Sequence, residues 1–181
     1  GYLEVLGRKG FLKSLPENLT NKLPPSYVGS DRKWIGVSGR ARVLVYSTEG
    51  VQPKDLPTTL EALADPKWEG QIGWAPTNAS FEAHVSALRH FWGEEKTKSW
   101  LEKMKALAPK KYPKNSPQVR AVDKGEIKIG WVNHYYLLRQ KAANPALKAA
   151  NHSFQTAKDP GNLMMLSGAA VVKTTKRPIA A

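Results

Sequence analysis

Two hydrophobic periods alternate along this chain, and together they outline an α/β protein. "KWIGVSGRARVLVYS", residues 33–47, holds two apolar, β-branched segments, with alternation in "ARVLVYS", the spacing of a pleated strand. Ser38–Gly39 interrupts them, so the stretch predicts two strands. "TTLEALADPKWEG" places Leu60 and Leu63 on a short helix closed by Asp65–Pro66, and "QIGWAP", Gln71 to Pro76, is the next strand. From there the period becomes helical. Phe81, Val85 and Leu88 share one face of a helix that Gly93 ends. A second helix from about Lys96 carries Trp100, Leu101, Met104 and Leu107 and stops at Pro109.

The pattern then recurs in shorter form. In "SPQVRAVDKGE", Ser116 is a natural N-cap, Pro117 suits the first helical position, Val119 and Val122 form the buried face and Gly125 terminates. "IKIGWV" is the strand that follows, and Asn133 is placed to cap a helix beginning with the adjacent pair Tyr135 and Tyr136. Near the end, Ala169 to Val172 forms one more apolar strand candidate. Strands alternating with helices imply an α/β sheet with right-handed crossovers.

Composition narrows the function classes. The 181 residues and 41% hydrophobic content suffice for a real core. No apolar run approaches a membrane span of ~18 residues, and the first residues lack the basic start and apolar stretch of a signal peptide. With no cysteine, disulfides and thiolate chemistry are excluded, and the chain suits an oxidising compartment. The net charge of +13 points to acidic partners. Its lysines are scattered over helices and loops, and no zinc finger, helix-turn-helix or stacking aromatic strand accompanies them, so nucleic acid is not the expected partner. Enzyme motifs are absent too: no GxSxG, HExxH or phosphate-binding loop occurs, and no carboxylate pair comes with a nucleophile and base. His84 and His90 lie six apart on one helix and so on different faces. His134 neighbours the tyrosines and reads as a surface or supporting residue.

Three junctions before helices carry small polar residues: Thr77, Asn78 and Ser80; Asn115 and Ser116; and Asn133. Each alone is an ordinary helix cap. If they converge beyond the carboxyl ends of the strands, they form an anion pocket. Tyr135 and Tyr136 open the third helix and would face the same crevice. A tyrosine pair can be packing, but a phenolate is also a hard donor suited to a trivalent cation.

The segments "SGRARVLVYS", "LADPKWEGQIGWAPTNASF", "NSPQVRAVDKGEIKIGWVNHYYLLR" and "SGAAVVKTTKRP" resemble, in this order, the ferric-iron-binding substrate-binding proteins of bacterial ABC importers. "VNHYY" is the most specific of the shared elements. The resemblance implies an α/β, type II periplasmic-binding-protein-like fold with the second lobe largely present and the first incomplete. It implies residues 1–39 as partial first lobe and crossover, 40–159 as the second lobe with the tyrosines, and 160–181 as a return strand toward the first. The chain is thus expected to be a fragment. Tyr135 and Tyr136 would bind Fe(III); Asn78, Ala79, Ser80, Asn115 and Asn133 would hold a synergistic carbonate, phosphate or citrate, with Arg40 near that anion or the hinge. Where some members carry a further tyrosine ligand, this chain has Ser80 and Phe81. The implied function is that of a non-enzymatic, monomeric, periplasmic receptor delivering iron to a membrane permease. Within the fold, the alternative is a receptor for an organic cation, thiamine or a phosphonate; a basic nucleic-acid-binding module is the alternative from another class.

Overall fold

The computed structural model describes residues 2–156 and 158–177. The chain divides into two compact units, Ala41–Met164 and, separately, Gly1–Arg40 with Met165–Ala181.

The smaller unit contains helices α1 (Tyr2–Arg8) and α2 (Glu17–Thr20). Glu4 on α1 anchors it, accepting hydrogen bonds from Trp34 Nε1 at 2.8 Å and Ser30 Oγ at 3.1 Å. Those bonds hold its carboxyl below the usual carboxylate range. Strand β1 (Ile35–Ser47) begins in this unit and continues into the larger one. It runs unbroken through Ser38–Gly39, where the sequence predicts a break. A glycine in a strand weakens it without ending it, and β1 has partners along both of its parts.

The larger unit is built on β1, β2 (Ile72–Trp74), β3 (Lys110–Lys111), β4 (Ile129–Asn133) and β5 (Ala149–His152), in the order β3-β2-β4-β1-β5. β2 is parallel to both β3 and β4, whereas β1 is antiparallel to β4 and β5. Helices α3 (Ala79–Trp92) and α4 (Glu94–Ala106) follow β2, α5 (Asn115–Asp123) follows β3, and α6 (Tyr135–Ala143) follows β4. Because side chains alternate across a strand, β1 feeds two cores. Leu44 and Tyr46 pack with Trp74, Phe81, Trp100 and Trp131, while Val43 and Val45 pack with Val119, Val122 and Leu137. β4 is buried along its whole length, as expected of a strand covered by helices on both faces.

Four local expectations are corrected. The stretch around Leu60 and Leu63 forms two 3₁₀ turns, Glu61–Ala64 and Pro66–Trp68, because Asp65 accepts from Lys67 N at 2.9 Å and Pro66 starts a new turn. α5 starts at Asn115, before Ser116, and its N-cap Lys114 makes no side-chain cap bond. Asn133 ends β4, and the residue at the N-cap of α6 is His134. The last strand, β6 (Met164–Ala169), pairs with β1 and lies earlier than expected; Val172 makes an isolated bridge with Leu12. Among the described residues, no helix is long and apolar enough to cross a membrane.

Candidate functional site: a buried arginine beneath three polar junctions

β2, β3 and β4 run parallel, so the helices after them all begin beyond one end of the sheet. Asn78 caps α3, its Oδ1 accepting from Ser80 N at 3.1 Å and from Ser80 Oγ at 2.6 Å. This is the expected cap geometry. Ala79 is the first residue of α3 and Asn115 the first of α5. Asn115 Nδ2 donates to Asn78 Oδ1 at 3.4 Å and to Ser80 Oγ at 3.5 Å. Asn133 closes the group from the end of β4. The three junctions therefore converge.

What they converge on is Arg42. It stands directly opposite Asn133 in the β1–β4 register and is 1% exposed. Its Nη1 donates to Asn133 Oδ1 at 3.0 Å, Asn115 Oδ1 at 3.3 Å and Ser80 Oγ at 3.4 Å, and its Nη2 donates to Trp131 O at 3.0 Å. The guanidinium carbon sits 5.1 Å from the centroid of the Trp131 ring, in cation–π range. All four acceptors are neutral, and Nε is buried without a partner among the described residues. A guanidinium can only donate, so it fixes the orientation of both asparagines: each turns its carbonyl oxygen to the cation.

Burial lowers the Arg42 guanidinium to about 9, while the neighbouring Tyr136 phenolate acts in the opposite direction. At neutral pH the site thus holds a desolvated positive charge whose nearest titratable counter-group is a phenol. Such a charge is costly without an anion. The resemblance implies Arg40 near the anion or the hinge; the bonds to Ser80, Asn115 and Asn133 come from Arg42, two residues on, and Arg40 is the residue at which the first segment of the smaller unit ends. The signal for Arg42 was available: it is a polar residue in phase with the buried Leu44 and the half-buried Tyr46.

Tyr135 and Tyr136 open α6 with rings stacked 4.3 Å apart at 29°. Tyr136 also packs against the core formed by Val119, Val132 and Leu137. His134 holds the start of the helix. Its Nδ1 accepts from Ala41 N at 3.1 Å and its N donates to Ala41 O at 3.0 Å, which fixes the neutral tautomer protonated on Nε2. Asn151 Nδ2 adds a bond to His134 O at 2.9 Å. Among the described residues, no group of three or more histidines and carboxylates gathers elsewhere. His90 is exposed, and His84 lies buried behind the site.

Comparison with known proteins matches the chain to a family. Residues 2–181 match the bacterial extracellular solute-binding protein family. The chain is similar to the major ferric iron-binding protein of Neisseria meningitidis, with 35% identity over 179 residues, 96% of this chain and 53% of that protein. It is 33% identical over 161 residues to the Fe(3+)-binding periplasmic protein of Serratia marcescens, covering 86% of this chain and 46% of that one. The iron-bound HitA structure from Pseudomonas aeruginosa superposes with a TM-score of 0.91 at 35% identity, over 97% of this chain and 57% of that one. The chain spans about half the length of the curated relatives it matches. By the family match along its length, and by the fold shared with ferric-binding structures, this chain belongs to the bacterial extracellular solute-binding protein family.

Proposed function

We propose that this chain carries the Fe(III)-holding site of an extracytoplasmic receptor that passes iron to an ABC importer. In this reading Tyr135 and Tyr136 supply two phenolate ligands. The Asn78–Ser80 turn, including Ala79, cradles a synergistic carbonate, phosphate or citrate together with Asn115 and Asn133. Arg42 is the fixed charge behind the cradle. The observation that carries the proposal is the buried guanidinium, whose four acceptors among the described residues are neutral, next to a stacked tyrosine pair. Such a site is preorganised for negative charge, and both a phenolate and a small anion provide it. The relatives named above are ferric iron-binding proteins, and a Trichodesmium structure with a TM-score of 0.84 at 28% identity holds iron and citrate.

Ferric ion needs its phenols deprotonated, so protons compete with the metal. Titrating the chain with ferric citrate should give a visible phenolate-to-iron absorption band that fades as pH falls, at values where circular dichroism still reports the fold. Tyr135→Phe and Tyr136→Phe should each weaken iron binding at least tenfold, and the double variant should lose the band. A double variant that binds iron like the parent chain overturns the reading.

A further inference from the structure

His84 lies one helical turn after Ser80 on α3, fully buried in the core behind the anion cradle. Its own bonds run elsewhere. Its Nε2–H donates to Pro160 O at 2.6 Å, its Nδ1 is buried without a partner among the described residues, and its ring packs at 4.7 Å, tilted 57°, on Trp131. A buried imidazole with one unpaired nitrogen costs free energy relative to an apolar side chain, which raises the question of its use.

That use follows from what it joins. Pro160 begins the 3₁₀ turn Pro160–Asn162. Asp159 ties the turn down, accepting from Gly161 N at 2.7 Å and Leu60 N at 3.2 Å. Asn162 secures it further, with Oδ1 accepting from Phe154 N at 2.8 Å and Nδ2 donating to Phe154 O at 2.9 Å. The next residue, Leu163, accepts from Arg42 N at 2.9 Å. The turn thus fixes the Arg42 backbone, while Trp131 supports its guanidinium and Ser80 at the start of α3 accepts from it. His84 contacts the turn, the indole and the helix together. We propose that His84 is a positioning residue for the anion cradle, locking α3 to the Pro160 turn so that Arg42 stays in register with Ser80, Asn115 and Asn133. The proposal rests on the cradle reading above. It explains why a neutral donor is needed: an apolar ring could fill the volume but would leave the Pro160 carbonyl unheld.

The test separates donor from ring. Inorganic phosphate is titrated calorimetrically into the parent chain, His84→Phe (ring without donor) and His84→Gln (a neutral donor of similar reach), with melting temperatures recorded alongside. Phosphate affinity should fall about tenfold in His84→Phe, the scale of one lost hydrogen bond in a buried setting, and return to within about threefold of the parent in His84→Gln even if that variant melts lower. Asp159→Ala loosens the same turn from its other side with His84 intact, and should weaken phosphate severalfold; it decides the matter if His84→Phe does not fold. Parent-like affinity in His84→Phe or in Asp159→Ala, or equal losses in both His84 variants, overturns the positioning role alone. A parent chain that binds neither phosphate nor iron sinks the cradle reading and this proposal with it.

Discussion

Arg42 is a cation whose four hydrogen-bond acceptors among the described residues are neutral, and that decides what its replacement does. Arg42→Met keeps much of the stem's volume and removes the desolvated charge, which in other buried sites is neutral or stabilising, but it leaves the carbonyls of Asn115 and Asn133 unpaired. The two effects oppose each other. The expected outcome is a melting temperature within a few degrees of the parent and phosphate and iron affinity lowered at least tenfold, measured by calorimetry. His84 gives a pH prediction. Burial, with Arg42 nearby, lowers it to about 3. The unfolded state then binds the proton first as pH falls, so stability is complete above about 6.5 and is lost progressively toward 3. The loss is on the order of 4 kcal/mol at the acid end. Urea unfolding at pH 7, 5 and 4 should show this slope, and His84→Phe should flatten it. At this scale much of the site was legible: Asn78, Ser80, Asn115, Asn133 and both tyrosines stand out as polar groups at helix starts. Arg42 gave only its phase with Leu44 and His84 gave nothing, because what they bond lies distant in sequence, Asn133 across the sheet and Pro160 in a later turn.

Elements show the same division between local and distant causes. α3 and its Gly93 stop were readable because cap, apolar face and terminator are all local; Gly93 indeed adopts φ 81°. The continuity of β1 was not, since the strand is held by β4 and β5 along one part and paired by β6 as well. β6 itself carries exposed and half-buried side chains, so hydrophobicity pointed past it to Ala169–Val172. In β2 the tight point is Gly73. An added Cβ would lie 2.4 Å from Ile127 Cδ1 and 2.9 Å from Tyr112 Cε2, closer than any real contact. Gly73→Ala should therefore force a shift in the neighbouring side chains and destabilise by about 1–3 kcal/mol, read as a lower urea midpoint with unchanged slope. Because β2 leads into the Asn78 cap, phosphate affinity should fall with it.

Across the whole molecule, burial is unevenly shared. Among the described residues of the smaller unit, Leu12 and Leu15 are the large apolar side chains that are buried, while Tyr2, Val5, Leu6, Phe11, Leu19, Val37 and Val172 are exposed. The larger unit holds both extended hydrophobic clusters. Local opening costs least where little apolar packing must break, so amide hydrogens of α1 and α2 should exchange far faster than those of β4 and α5 in a mass-spectrometric time course. Equal protection would contradict this distribution. The excess of positive charge, +13, draws anions toward the chain at low ionic strength; under the proposed function, one would be held at Arg42. Mass action then links occupancy to folding. An anion that binds only the native state at a hundred times its Kd adds about 2.7 kcal/mol, so the chain in an anion-poor buffer is its own least stable form. Its melting temperature becomes a gauge of occupancy at the arginine: phosphate should raise it, ferric ion should raise it again, and the double tyrosine variant should keep the first increment while losing the second.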